Sequence, residues 1–297
     1  ANLRFKKIAF GSTIFFDALV NGDIGSDDFE FNLVSPDIDV NLSLSPDKRT
    51  LVSFDYLNFP LVESMPVDFR DSGDIPELLV KIKELHIGNT PYGKWDFNMV
   101  SDSEGVHFKD LDASINGLMI TSETGSFWNP NSNETIFSGE VRAQDVAKVL
   151  PLWGYVPTVE ADEVAILADV RWLGNPLEIQ LLDLMGTAQL EARDGRFVDI
   201  ESGGGAVRIL SLVNFNAIAK RLRGDFSDVT GKGIAFDNLE AGLGFNNGVL
   251  SFIDTLKLKG TGSSFEVDGT IDLVSGGLDS EMIVTLPVTK SLPWYGL

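Results

Sequence analysis

The stretch SSFEVDGTIDLVSGGLDSEMIVTLPV, residues 263–288, decides the fold. Phe265, Val267, Ile271 and Leu273 alternate with Glu266, Asp268, Thr270 and Asp272, and Met282, Val284, Leu286 and Val288 resume the pattern after a Ser-Gly-Gly turn. Successive side chains of a β-strand point to opposite faces, so a period of two describes a strand with one apolar and one polar side. Working outward, the same period appears in Phe29, Phe31 and Leu33, in Ile38, Val40, Leu42 and Leu44, and in Trp95, Phe97 and Met99. It returns in Val164, Ile166, Ala168, Val170 and Trp172, and in Leu250, Phe252, Leu256 and Leu258, where Asp254 interrupts it. A bulge at Asp254 is expected to turn that carboxylate outward. Turn signals such as SPDK, SDSEG, NPNSN, NNG and GTGSS separate the runs. Long crossover helices and continuous apolar runs do not recur, so the reading is an antiparallel all-β meander.

Three segments break the pattern. QDVAKVLPL (144–152) predicts a short helix with Asp145 near its start and Pro151 ending it. Residues 206–223 predict a second helix, apolar on most sides, with Ile209, Val213 and Ala217 on one face. Its cationic end, Lys220, Arg221 and Arg223, complements the negative pole of the helix dipole. PELLVKIKELHIG (76–88) reads as helix by propensity, although Val80 and Ile82 also fit alternation.

Composition excludes several functions. The chain has 297 residues, 23 basic and 44 acidic, a net charge of −21, which repels nucleic acid. A hydrophobic content of 43% with 20 phenylalanines requires a buried core. Without cysteine there are no disulfides or thiolate sites, and His86 and His107 alone make no zinc constellation, so neither metal nor cofactor is expected. Both histidines read as half-exposed strand residues. Gly203-Gly204-Gly205 lacks the Lys-Ser/Thr of a phosphate-binding loop and reads as a strand-to-helix hinge. Asp23, Asp27 and Asp28 read as a solvated turn rather than a calcium loop. No nucleophile elbow occurs, and among so many carboxylates no acid–base pair is singled out. ANLRFKK is not followed by a signal-peptide core, and no run approaches the roughly 20 apolar residues of a membrane span. The chain is expected to be a segment of a longer protein.

Alternation leaves two architectures open. The apolar faces of two sheets can cover each other in a sandwich, the commoner arrangement. Alternatively, one long sheet curls into a trough whose apolar face holds a lipid.

A set of ordered motifs bears on that choice. Arg221, Asp225, Phe226, Ser227, Asp228 and Val229 form one element; Lys232, Gly233, Phe236 and Asp237 a second; Gly248, Val249 and Leu250 a third. Upstream stand Trp172, Gly174 and Pro176, then Gly186, Leu190 and Asp194 to Phe197, and VTLPV (284–288) follows downstream. In this order they resemble the C-terminal signature of YhdP-type proteins of the AsmA-like superfamily. The likeness covers residues 137–297, and residues 1–136 match more loosely through YGKWDFNM (92–99) and EGVHFKDLDASINGL (104–118). The two stretches are taken as consecutive parts of one groove.

The resemblance implies an elongated meander curled into an open, taco-like apolar groove, within a protein anchored in the inner membrane of a Gram-negative bacterium and crossing the periplasm. It implies movement of glycerophospholipids between inner and outer membranes without enzymatic chemistry, and it makes 76–88 a strand. The groove lining expected is Leu250, Phe252, Leu256, Leu258, Phe265, Val267, Ile271, Leu273, Met282, Val284, Leu286 and Val288. Ile209, Val213, Ala217, Arg221 and Arg223 would belong to a helix in or across the groove, the arginines at its rim. Protein partners are not indicated. The alternatives are an outer-membrane assembly factor that binds client polypeptides by edge pairing, and a closed sandwich with carbohydrate-binding or hydrolase activity.

Overall fold

The Asn-Gly turns show how this sequence makes sheet. In a computed structural model of the chain, Asn116 (φ 45°) and Gly117 (φ 83°) join one pair of strands, and Asn247 (φ 47°) and Gly248 (φ 80°) another. Two consecutive positive φ values give a tight turn whose twist matches that of the strands, and Asn and Gly tolerate them best. The structure describes residues 2–10, 13–24, 29–44, 50–59, 77–123, 125–198, 234–260 and 263–285.

Among the described residues seventeen strands belong to one hydrogen-bonded sheet. They are β1 (Asn2–Phe10), β2 (Thr13–Ile24), β3 (Phe29–Ser35), β4 (Ile38–Leu44), β5 (Thr50–Phe59), β6 (Leu78–Ile87), β7 (Thr90–Ser101), β8 (Val106–Ile115) and β9 (Leu118–Ser122). There follow β10 (Ser126–Asn129), β11 (Glu134–Gln144), β12 (Val159–Leu173), β13 (Met185–Phe197), β14 (Ile234–Asn246), β15 (Val249–Gly260), β16 (Ser263–Asp272) and β17 (Gly277–Thr285). The all-β reading holds. Strand β6 also makes Leu78–Ile87 strand and not helix, because Val80, Ile82 and Leu85 are buried while Lys81, Lys83 and Glu84 are exposed. The cross-strand environment overrides helix propensity there.

The purely antiparallel expectation needs one correction. β5 and β6 pair in parallel, from Thr50↔Leu78 to Phe59↔Ile87. A parallel pair needs a connection of about a dozen residues or more, and residues 60–77 supply that length. The short helix also needs correction. It is α1 (Val146–Leu152), since Gln144 is still the last residue of β11 and Asp145 turns the chain with φ 51°. Pro151 lies inside the helix instead of ending it; so short a helix loses little from one missing donor. The helix expected at 206–223 lies outside the described residues.

The chain divides into two compact units, residues 1–141 with 169–179, and residues 142–168 with 180–297. The core of the first unit gathers Phe15, Val20, Leu33, Ile38, Leu57, Val80, Ile82 and Leu85, with Trp95, Phe97 and Met99 packed against it. The Trp172–Gly174–Pro176 motif is a clasp in this unit. The buried Trp172 donates its indole N–H to the Asn175 carbonyl at 3.0 Å, and the buried Thr135 hydroxyl donates to the Gly174 carbonyl at 2.7 Å. Gly174 has φ 123°, and its N–H donates to the Asn133 carbonyl at 2.7 Å. The core of the second unit gathers Ala161, Ala192, Phe236, Leu239, Ala241, Leu256, Leu258, Phe265 and Val267.

Three aspartates do in mid-strand what glycine normally does. Asp17 (φ 51°), Asp110 (φ 51°) and Asp194 (φ 47°) adopt the left-handed conformation inside β2, β8 and β13. At each, the inward parity shifts by one residue: Phe15 then Ala18 and Val20 are buried in β2, and Leu190 and Ala192 give way to Phe197 in β13. Aspartate is among the few side chains that enter this region readily. Asp194→Asn is expected to leave stability unchanged, whereas Asp194→Val should cost about 1–3 kcal/mol. Urea unfolding of the two variants checks this, and equal midpoints would show that the backbone there imposes no preference.

Candidate functional site

The apolar face of β13 to β17 is built from rows that run across the strands. Ala192 lies opposite Leu239, Leu239 opposite Leu258, Leu258 opposite Phe265, and Phe265 opposite Val284. A second row joins Leu256, Val267 and Met282, and a third joins Phe245, Leu250, Ile271 and Leu278. Cross-strand partners share a face and touch, so the register joins the patterns of five strands into continuous ridges.

Burial is graded along the first two rows, falling off at β17. Leu258 is 0%, Val267 1% and Phe265 4% exposed, and Leu256, Ile271 and Leu273 are also buried. Leu250, Phe252, Met282 and Val284 are only half-buried. The structure therefore brings ten of the expected lining residues onto one face, six of them covered and four partly open. Leu286, Val288, Ile209, Val213, Ala217, Arg221 and Arg223 lie outside the described residues.

The covering groups are ones that alternation alone did not single out for the lining. Val146 of α1, Val164 of β12, and Leu190 and Phe197 of β13 pack against the cluster, and Phe236, Leu239 and Ala241 form part of it. Phe236 stood in a motif with no role attached to it. Ala161, Ala192 and Ala241 carry too little apolar surface to mark a face by themselves.

Asp254 stands clear of the rows, as the expected bulge requires. The β15–β16 register runs Ser251↔Thr270 and then Leu256↔Val267, so β15 carries two extra residues where Asp254 turns out into solvent. Its carboxylate lies over Gly242, where an added Cβ would come within 2.5 Å of Oδ2, and it accepts from Gln189 Nε2 at 3.4 Å. The β16–β17 turn is held by Asp272, which accepts the N–H groups of Val274 at 2.9 Å and Ser275 at 3.0 Å. The Ser275 N–H, then the Ser275 hydroxyl and the Val274 N–H, hold its carboxyl below the usual carboxylate range.

Elsewhere in this unit charges meet in pairs across neighbouring strands. Glu163 lies 3.4 Å from Arg142 and 4.0 Å from Arg193, and Arg196 pairs with Glu160. In the first unit His86 meets Glu84 at 2.8 Å and Tyr56 ring to ring, and His107 meets Asp102 at 3.0 Å and the Phe127 ring. Each is a local strand contact. Among the described residues no group of three or more carboxylates and histidines is placed to hold a metal, and no helix is long and apolar enough to cross a membrane.

These features define a class: an all-β chain in which strands β13 to β17 carry continuous apolar rows on one face. The chain belongs to the YhdP family, whose model, described as YhdP protein, matches residues 1–297. It is similar to the intermembrane phospholipid transporter YhdP of Escherichia coli (strain K12), with 22% identity over 236 residues. That match covers 79% of this chain and 18% of the relative, so the chain spans about a fifth of that protein's length. No solved structure matches.

Proposed function

We propose that this chain is a lipid-handling segment without catalytic chemistry. In this reading the apolar rows of β13 to β17 take the acyl chains of glycerophospholipids. The longer protein that contains the segment moves them between inner and outer membrane across the periplasm. The carrying observation is the graded row, continuous from Leu239 through Leu258 and Phe265 and half-open at Val284. Membership of the YhdP family supports the cargo. Two acyl chains of about 15 methylenes, at ~0.8 kcal/mol per buried CH₂, are held in a membrane by over 20 kcal/mol gross. A path through water therefore has to offer apolar lining with few gaps. The helix expected at 206–223 belongs to the same reading, as an element that narrows or closes the groove.

One observation favours a closed core for part of the face. Leu258 has no exposed surface, so that section of the row is already filled by protein. The acyl-chain site is accordingly placed at the half-open end, along Phe252, Met282 and Val284. Native mass spectrometry with solvent extraction, on the chain purified from bacteria without detergent, tests this. Bound glycerophospholipid is expected in the wild type and in Ile283→Asp, whose side chain is 56% exposed and alternates to the other face. It should be lost in the double variant Met282→Asp, Val284→Asp. Lipid retained by that variant would remove the site from β17, and a lipid-free wild type would favour the closed core throughout.

A further inference from the structure

The first two strands carry a surface at odds with the rest of the chain. Arg4, Lys6 and Lys7 are all exposed on β1, within a protein of net charge −21. Among the described residues none of the three has an ion-pair partner; Lys81, Lys109, Lys257 and Lys259 lack one too, but on β1 three such cations fall within four residues. The register sets Arg4 opposite Leu19 and Lys7 opposite Phe16. Phe15, Ala18 and Val20 are buried on the core side, so Leu19 and Phe16 lie on the opposite face, 48% and 55% exposed. Asp17 contributes to this arrangement, because its left-handed backbone puts Phe16 and Leu19 on one side of the strand although they are three apart. The result is a face on which unpaired cations flank exposed apolar side chains.

That combination selects among partners. A bilayer surface offers phosphates and anionic headgroups to Lys and Arg, and an acyl boundary just beneath them to Phe and Leu. An acidic peptide would satisfy the cations and leave no reason for Phe16 and Leu19 to face outward. Nucleic acid would offer phosphates to the cations but no acyl boundary to Phe16 and Leu19. The acidic residues elsewhere in the chain do not prevent the contact, because screening over about 8 Å at physiological salt leaves only the charges nearest the membrane in play. We infer that the outward face of the β1–β2 hairpin is a contact site for a phospholipid bilayer carrying anionic headgroups. The inference stands apart from the acyl-chain site on β13 to β17, which lies in the other unit.

Co-sedimentation of the 297-residue chain with vesicles tests it. One set is phosphatidylcholine alone and the other is phosphatidylcholine mixed with phosphatidylglycerol. The wild type is expected to sediment with the mixed vesicles and to be released by salt. At roughly fivefold per cation, K6Q/K7Q should weaken that partition about 25-fold. F16S/L19S should weaken it at least several-fold while leaving the salt dependence in place. All four substituted side chains are exposed, and unchanged circular dichroism confirms that the variants fold. Equal sedimentation of wild type and K6Q/K7Q would overturn the inference, as would failure of the wild type to bind. Loss in K6Q/K7Q with full retention in F16S/L19S would overturn the role given to Phe16 and Leu19, leaving a purely electrostatic patch. Lipid extraction of M282D/V284D reads the other site separately.

Discussion

Leu258→Ala is expected to lower the stability of the second unit by about 2–5 kcal/mol, toward the upper end of that range. The side chain has no exposed surface, and its cross-strand neighbours Leu239 and Phe265 belong to strands bonded on both sides of β15. Those neighbours cannot collapse into the space without breaking register, so the cavity persists and adds to the lost transfer energy. Lys257→Ala, one residue away and exposed, should change stability by less than about 0.5 kcal/mol. Urea unfolding followed by circular dichroism separates the two. A Leu258→Ala midpoint equal to that of Lys257→Ala would mean that the row is loosely packed, and the graded burial would lose its meaning.

The second large effect is steric. Gly93 in β7 has φ 68°, and a Cβ built there would lie 1.9 Å from the Ser114 carbonyl oxygen and 3.0 Å from its carbon. Backbone atoms of a paired strand have no rotamer by which to move aside. Gly93→Ala is therefore expected to cost on the order of 3 kcal/mol or more, from left-handed strain plus displacement of β8. Gly154→Ala supplies the contrast: φ is 78°, but nothing lies within 4 Å of the added carbon. It should show the backbone cost alone, about 1 kcal/mol. If the two variants unfold at the same denaturant concentration, Gly93 is needed only for its torsion and the close strand approach carries no penalty.

How far the sequence reveals this molecule depends on the range over which each signal acts. Alternation is local, and Phe265 through Leu273 announced their face without help from any other strand. The interruption at Asp254 was legible for the same reason, since a lone carboxylate within an apolar parity has to be looped out. The register that joins Leu239, Leu258, Phe265 and Val284 into one row is non-local, and no single strand encodes it. In the sequence Asp17 is one carboxylate between Phe16 and Ala18, yet its backbone is what redirects Phe16 and Leu19. Nothing in a one-letter string distinguishes a left-handed aspartate from an extended one. Helix propensity in 76–88 misled because Lys, Glu and Leu also suit a strand with one solvated face. The parallel pairing of β5 with β6 left no local mark at all, since it depends on what a long connection returns to.

That pairing sets an order of events. Where a strand meets the one just before it across a tight turn, contact forms as soon as both have been made, and such local closures are fast. From β2 to β5, and again from β14 to β17, each strand pairs with its predecessor in sequence across a short connection. β6 cannot add to β5 in this way, because Leu78 has to return to the level of Thr50 before the first bond of the ladder can close. A chain that emerges from its N-terminal end would therefore assemble β1 to β5 promptly and then wait. During that pause the edge of β5 awaits its partner, and a chaperone or a second copy of the chain would find its best opportunity to intervene there.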